Sequence, residues 1–279
     1  MRVVGHGLDA LHLSARGWVR SELWAELDFG RSQSKPEPVE LGGERFQTKP
    51  FGLRGRTDWL VSEGFQLHLG PLKLLPPALL EVRSALLHQV EPEVAVARAR
   101  GVLGAVFVSE PDVVCSRLDL HADLQDIAPR LEWLERFVSR ANQARMFQRV
   151  EPDGERILSG FTFGRGGLLA RLYDKTLEQR EKGKAWRADL WPQADSSRPV
   201  WRLEFQLRRE VLKGFGVRSP EEVVACRQDL WRYCVRRWLS LRRKGEHSDR
   251  SRWPVLGWWW ELGRLRFGDY QGVQRRQLP

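Results

Sequence analysis

Three segments of the chain alternate polar and apolar residues, which is the pattern of β-strands with one buried and one polar face. The segments are residues 116–123 (SRLDLHAD), 168–175 (LLARLYDK) and 200–209 (VWRLEFQLRR). Their polar faces carry Arg117, Asp119, His121 and Asp123, then Arg171, Tyr173 and Lys175, and then Arg202, Glu204, Gln206 and Arg208. If the three strands are neighbours in one sheet, these side chains converge on one surface.

The rest of the pattern predicts further strands and helices. We expect a strand at 7–19, a short helix at 21–27, and a hairpin in which 156–164 and 168–175 flank the turn Arg165-Gly166-Gly167. Helical spacing or helix-start residues predict helices at 76–90, 129–147 and 219–244. The last of these begins with the capping box Ser219 and Glu222 and with Pro220 at its first position.

Two segments are irregular in composition. Residues 30–56 mix proline, glycine and charge, which indicates loops with a short strand. Residues 248–279 are rich in tryptophan and arginine, and the run Trp258, Trp259 and Trp260 cannot all face inward on one element. Taken together, the pattern predicts an α+β protein with an antiparallel sheet, helices packed on one face, and a single domain over 1–279.

Charge and composition indicate the class of partner. The chain has 46 Lys+Arg against 36 Asp+Glu, a net charge of +10 and a pI near 10.1. The positive electrostatic field of such a protein favours binding to polyanions. Nucleic acid is the first candidate, and an anionic membrane surface is the second. The sequence has neither a long apolar run nor a secretory signal, so we expect a cytoplasmic protein with no membrane partner. Cys115, Cys226 and Cys234 lack metal-ligand spacing, and we expect them to be buried apolar residues.

The polar surface suggests phosphodiester chemistry. Asp119, Asp123 and Glu204 offer the oxygen ligands that a divalent cation prefers. The basic side chains Arg117, Arg171, Lys175, Arg202 and Arg208 could bind the phosphates of DNA. Tyr173 could then attack phosphorus, provided that cations, a base or a metal favour its phenolate, because a free tyrosine has a pKa of about 10.

Plainer interpretations stay open for each of these residues. An antiparallel sheet ordinarily has one wet face, and a strand tyrosine often lies over a sheet with its hydroxyl hydrogen-bonded. Tyr233 and Tyr270 fit such a structural role better than Tyr173 does. His121 is a lone histidine that could be a ligand, a base or neither, and the sequence lacks a His-hydrophobic-His triplet of the commonest relaxase type.

The order of these motifs resembles the replication initiation factor family, also called Rep_trans. The resemblance spans about residues 7–262, and RLYDK followed by Arg202 and Glu204 is its most specific part. The family includes initiators of rolling-circle plasmids, phage-type initiators and relaxases of integrative conjugative elements. The resemblance implies that Tyr173 is the nicking nucleophile, which leaves a 5′-phosphotyrosyl bond and a free 3′-hydroxyl. It also implies Mg²⁺ or Mn²⁺ on Asp119, Asp123 and Glu204.

The resemblance further implies DNA as the partner, single-stranded or as a supercoiled origin, with a host helicase and a homodimer as further candidates. We expect two departures from the family: the lack of an extended helix-turn-helix segment before the catalytic part, and the lack of a helicase after the Trp-rich segment. The alternative function is a non-catalytic DNA-binding protein of the same fold. An RNA-binding module ranks last, because only Tyr173 would offer an aromatic ring on the sheet surface.

Overall fold

The computed structural model describes residues 1–32, 38–53, 55–71, 75–181 and 191–275. The predicted loop region 30–56 therefore falls partly outside the described residues, and so does the end of the predicted segment 248–279. The first half of the chain contains β1 (Arg2–Arg16), α1 (Ser21–Ser32), β2 (Pro38–Leu41), β3 (Glu44–Thr48), β4 (Asp58–Val61), β5 (Phe65–Leu69), β6 (Ala78–Val82), α2 (Ser84–Gln89), α3 (Pro92–Val106) and β7 (Asp112–Gln125).

The second half of the chain completes the sheet and adds short helices. Its elements are α4 (Trp133–Arg136), β8 (Phe137–Ser139), β9 (Ala144–Val150), β10 (Arg156–Phe163), β11 (Leu168–Asp174), α5 (Lys175–Glu181), β12 (Trp201–Arg208), α6 (Arg209–Gly214), α7 (Pro220–Ala225), α8 (Arg227–Tyr233), a π-helix (Cys234–Trp238), β13 (Leu239–Leu241), a 3-10 helix (Arg250–Arg252) and α9 (Gly257–Leu262).

The main sheet has eleven strands in the order β2-β3-β4-β5-β6-β1-β7-β12-β11-β10-β9, and β13 pairs with β8 in a small second sheet. The α+β class and the antiparallel sheet are thereby confirmed. The chain divides into two compact units. The first unit comprises residues 8–118 and 216–224, and the second unit comprises 1–7, 119–215 and 225–279. The prediction of a single domain over 1–279 stays a prediction.

The core of the first unit lies between its β-strands and helix α3. Leu13 of β1 pairs with Leu80 of β6, and Leu80 pairs in turn with Leu67 of β5. All three side chains are fully buried, as are Val102 and Leu103 of α3. Burial of this continuous apolar layer stabilises the unit, at roughly 1.5–3 kcal/mol for each fully buried aliphatic side chain.

The second unit has an aromatic core. Trp231 of α8 and Trp238 of the π-helix pack edge-on against Phe205 of β12, with ring centroids 5.6 and 6.4 Å apart. Phe137 packs against Phe163 at 4.6 Å. The Trp258–Trp260 run divides between the core and the surface, as the sequence predicted: Trp259 is buried, and Trp260 is exposed.

Three predicted helices are wrong in whole or in part. Residues 76–90 form β6 before they form α2, and residues 129–147 form only one helical turn before β8 and β9. Residues 219–244 break into α7, α8, the π-helix and β13. In the first two cases, apolar residues spaced as in a helix instead pair across a sheet, since tertiary pairing overrides a local periodicity.

Several smaller predictions are confirmed. The predicted strand over 7–19 and the hairpin of β10 and β11 are present, and Gly166 has a φ of +77° in the hairpin turn. The capping box forms, because Ser219 Oγ accepts the Glu222 N–H and the Glu222 carboxylate accepts the Ser219 N–H. The three cysteines are buried. Within the described ranges, no helix has the length and apolar character needed to cross a membrane.

Candidate active site

The three strands with polar faces are neighbours, in the order β7-β12-β11. Arg171 of β11 lies directly opposite Glu204 of β12, and Tyr173 lies opposite Arg202. Because side chains two residues apart on a strand share a face, these four side chains project from the same side of the sheet. The predicted convergence of β11 and β12 is therefore present in the fold.

The hydroxyl of Tyr173 lies between a carboxylate and an ammonium group. It donates a hydrogen bond to Glu204 Oε2 at 3.1 Å, and it accepts one from Lys175 Nζ at 3.1 Å. The same ammonium nitrogen lies 5.3 Å from the centroid of the tyrosine ring. The phenol thus has a proton acceptor on one side and a positive charge on the other, as a tyrosine nucleophile requires.

Glu204 is held in place by a second partner. Arg171 Nη1 donates to Glu204 Oε1 at 2.9 Å, while Oε2 accepts from the tyrosine. The glutamate side chain is almost completely buried, whereas two-fifths of the arginine side chain is exposed. Arg171 therefore orients the carboxylate and still presents part of its guanidinium group to solvent, where a phosphate could bind.

Lys175 is buried in the structure, and its contact with DNA stays a prediction. Its residue is only 1% exposed, and its ammonium group also binds Glu178 one turn along α5. The ammonium group donates a hydrogen bond to the hydroxyl of Tyr173, so its positive charge lies next to that oxygen. Glu178, which the sequence analysis missed, stands at the i,i+3 position where a helical salt bridge is expected.

Asp123 and Arg202 form a buried ion pair. Arg202 Nε donates to Asp123 Oδ1 at 2.6 Å, and Arg202 Nη2 donates to Asp123 Oδ2 at 2.8 Å. Trp191 Nε1 donates to the same Oδ2 at 2.8 Å. Burial on its own would raise the pKa of Asp123, but the charges of Arg202 and His121 and the hydrogen bonds from Arg202 and Trp191 lower it overall.

This pair bears on two predictions, a phosphate contact at Arg202 and a metal ligand at Asp123, and both stay predictions. Arg202 was expected to bind phosphate, but it is 1% exposed and committed to Asp123. Asp123 was expected to bind a metal, but both of its oxygens already accept hydrogen bonds from a cation. A buried bidentate ion pair of this kind holds strands β7 and β12 in register, because separating its two partners would leave an uncompensated buried charge.

The predicted metal ligands do not fit as one set. Asp119 and Asp123 are four residues apart on an extended strand, which separates them by about 13 Å along it, whereas a Mg²⁺ ion binds its oxygens at roughly 2.1 Å. Glu204 is engaged by Arg171 and Tyr173. Among the described residues, no group of three His, Cys, Asp or Glu side chains is placed to hold a metal ion. The Mg²⁺ or Mn²⁺ requirement stays a prediction.

The remaining predicted residues take different places. Asp119 and His121 are buried on the polar face of β7. Arg208 is exposed at the end of β12, and its contact with DNA stays a prediction. Arg117 belongs to the first unit, and its contact with DNA stays a prediction.

Asp174 follows Tyr173 on β11, so strand alternation turns it to the side opposite the polar face. Its carboxylate accepts the backbone N–H of Leu177 at 2.9 Å, as an N-cap residue of α5 would. Burial raises the pKa of Asp174, partly offset by hydrogen bonds from the backbone of Leu177 and Thr176. We therefore assign it to the structure of the β11–α5 junction.

Gly160 is a site residue that the sequence analysis missed. It pairs directly with Tyr173, at a point where the register between β9 and β10 shifts. A Cβ atom at this position would lie 2.8 Å from the carbonyl oxygen of Leu172 and 2.9 Å from the Cβ of Tyr173. Glycine therefore allows β10 to approach the tyrosine closely. Its only signal in the sequence is a glycine inside a strand, which often marks a bulge or a close backbone approach.

Comparisons with known proteins were made on both sequence and structure. No family model matches the sequence, and no curated protein matches it either. A solved structure does match: the rolling circle replication initiator protein from Geobacillus stearothermophilus, with a TM-score of 0.56 and 16% identity. The alignment covers 95% of this chain and 98% of that chain. This chain has the initiator fold. The sequence resemblance is thus confirmed at the level of the fold, and the fold alone is what a similarity at 16% identity shows.

Proposed function

We propose that the protein is a site-specific single-strand DNA endonuclease and transferase that starts rolling-circle replication or conjugative transfer. The observation that carries this proposal is the hydroxyl of Tyr173, hydrogen-bonded to both Glu204 and Lys175 on the polar face of the sheet. The initiator fold and the net charge of +10 support DNA as the substrate. A host helicase and a homodimer stay predictions.

The reaction begins when Tyr173 Oη attacks a phosphorus atom of the DNA backbone. The phenol proton passes to Glu204 Oε2, which already accepts its hydrogen bond. The bond from phosphorus to the 3′-oxygen breaks, and that oxygen takes a proton from water to become a free 3′-hydroxyl. The 5′-phosphate stays on the tyrosine as a phosphodiester, so that attack by another 3′-hydroxyl can later release the enzyme and rejoin the strand.

Positive charge makes this step feasible at neutral pH. The ammonium group of Lys175 stabilises the negative charge that develops on the phenol oxygen, and it lies in a buried place where charges interact strongly. The exposed part of Arg171 and the exposed Arg208 are placed to bind the phosphates of the scissile strand. These residues orient the backbone toward Tyr173.

The test is a covalent-adduct assay with the full chain and single-stranded origin DNA from its own replicon. Tyr173→Phe should abolish the adduct and leave binding intact, because phenylalanine keeps the ring and removes only the nucleophilic oxygen. Thr162→Val is the matched control, since it removes a hydroxyl from the neighbouring strand β10 and should leave adduct formation unchanged. Mass spectrometry should locate the nucleotide on the peptide that contains residue 173.

The same assay separates catalysis from binding alone. A non-catalytic DNA-binding protein of this fold would bind the origin and form no adduct in the unsubstituted chain. An adduct that persists in Tyr173→Phe would refute the assignment of the nucleophile. A further arm with a chelator, followed by addition of Mg²⁺ or Mn²⁺, measures the metal requirement directly, and full activity under chelation would overturn it.

A further inference from the structure

A second basic site lies on the helix side of the second unit. Trp231 and Trp238 pack on Phe205, which points away from the face that carries Glu204, because neighbouring residues of a strand face opposite sides. Helix α8 and the π-helix therefore cover the side of the sheet opposite Tyr173. The C-terminal segment packs against these helices, since the ring of Trp231 stacks on that of Phe267 and Asp229 accepts the backbone N–H of Gln271.

A cavity of about 390 Å³ that is rich in arginine is lined by these helices and by residues 270–275 of the C-terminal segment. The arginines that line it are Arg140, Arg232, Arg236, Arg237 and Arg275. Asp229 is the one carboxylate among the described lining residues, and its Oδ2 accepts the backbone N–H of Gln271. The lining side chains therefore carry an excess of four positive charges.

Neutral partners hold three of these five guanidinium groups in place. Arg275 Nη1 donates to the hydroxyl of Tyr233 at 2.8 Å, and Arg232 lies 4.6 Å above the ring of Tyr270. Arg236 lies 4.5 Å above the ring of Trp260. In the part of the chain that the structure describes, none of the five forms an ion pair with a carboxylate. Three of the positive charges are therefore held in position, and none of the five is neutralised by an ion pair.

The pKa of Arg236 reflects this surplus. Burial is the largest cause that lowers this pKa, and the positive charges of Arg232 and Arg264 lower it further. The negative charge of Glu261 offsets only part of the effect. Like charges held this close repel one another, and an anion in the cavity would relieve that repulsion. A phosphate is an anion that planar guanidinium groups bind well, through paired N–H donors.

We propose that this cavity binds the backbone phosphates of a single nucleic-acid strand, with one base stacked on the ring of Tyr270. That ring is 56% exposed beside the arginines, and base stacking on aromatic side chains next to a basic groove is how proteins hold single strands. The site lies on the opposite face of the sheet from Tyr173, so it is a second contact that does not take part in cleavage.

The experiment measures binding of a fluorescently labelled thymidine dodecamer by anisotropy over a series of salt concentrations. Every protein also carries Tyr173→Phe, so that no adduct forms and the result does not depend on the proposed reaction. Arg232→Gln/Arg237→Gln removes two charges from the cavity. Arg250→Gln/Arg252→Gln is the matched control, because it removes two charges from exposed arginines of the same unit, outside the cavity.

We expect the cavity variant to bind about tenfold more weakly and to lower the salt slope by about 1.4, which is two single-strand phosphate contacts. The control should stay within about twofold of the parent. Tyr270→Ala should also weaken binding, and Tyr270→Phe should restore it, since phenylalanine keeps the stacking surface. Equal losses in the cavity and control variants would overturn the proposal.

Two further arms keep the test decisive. If the double variant unfolds, Arg237→Gln alone serves, because this exposed side chain can be changed with little effect on packing. Titration with inorganic phosphate distinguishes a strand from a free anion. Phosphate binding that is lost in the cavity variant, with dodecamer binding unchanged, would assign the cavity to a small anion and refute the strand.

Discussion

Gly160→Ala is expected to impair cleavage by moving Tyr173. The added Cβ would lie 2.8 Å from the carbonyl oxygen of Leu172, about 0.6 Å closer than the 3.4 Å at which ordinary van der Waals contact begins. The nearest atoms belong to the backbone and to the Cβ of Tyr173, so a flexible side chain cannot simply turn away. Strands β10 and β11 must therefore separate at the position of the tyrosine.

The size of the effect follows from the hydrogen bonds of Tyr173. Both of them measure 3.1 Å, and a shift of about 0.6 Å would stretch either one beyond hydrogen-bond range. A misplacement of about 1 Å can cost 10²-fold in rate, so we expect adduct formation to slow by about ten- to a hundredfold. Overpacking should also destabilise the fold by about 1–3 kcal/mol.

Single-turnover adduct formation at saturating DNA, well below the unfolding temperature, separates these two effects. Gly104→Ala is the control, because its Cβ would meet no atom within 4 Å and it lies in α3, where alanine favours the helix. DNA binding by Gly160→Ala should match the parent. A folded Gly160→Ala protein that forms the adduct at the parental rate would show that the close approach does not position the tyrosine.

Three further predictions concern the carboxylates of the polar face. Glu204→Gln removes the proton acceptor of Tyr173 and should slow adduct formation by about 10²–10⁴-fold with DNA binding retained; a rate within threefold of the parent would contradict its role. Asp123→Asn leaves the buried Arg202 without its counterion and should destabilise the protein by about 3–5 kcal/mol in denaturant unfolding, and an unchanged midpoint would count against a structural pair. The folded-state pKa of Asp123 lies below its ordinary value of 3.8, so its stabilisation is complete above that value and is lost as the pH falls through the folded pKa. Lowering the pH should therefore reduce the free energy of unfolding less in Asp123→Asn than in the parent. Denaturant unfolding curves recorded between about pH 5 and pH 2 measure this difference.

Strand alternation was enough to locate the polar face of the sheet. In LLARLYDK and VWRLEFQLRR the side-chain period of two assigns Arg171, Tyr173 and Glu204 to polar faces before any neighbour is known. The turn glycines between β10 and β11 indicated the hairpin, and the capping box indicated the start of α7. Each of these signals is local, because it depends on residues within a few positions of one another.

Partner choice across strands could not be predicted in the same way. The sequence analysis assigned Arg202 and Lys175 to DNA, and Asp123 to a metal, because the residue type alone permits those roles. Pairing, neighbouring strands and burial decided which partners they have within the protein: Arg202 binds Asp123, and Lys175 binds Tyr173 and Glu178. A buried charge must be matched by a nearby partner, and which partner is nearby depends on residues distant in sequence.

The same distinction separates the correct elements from the wrong ones. The tract ALLEV of β6 has apolar residues that suit a helix or a strand, and only its pairing with β1 and β5 selects the strand. Side-chain identity and alternation therefore determined which residues could do chemistry and which face they share. The tertiary structure decided which of them meet, because contacts across a sheet depend on register and strand order, which local sequence does not encode.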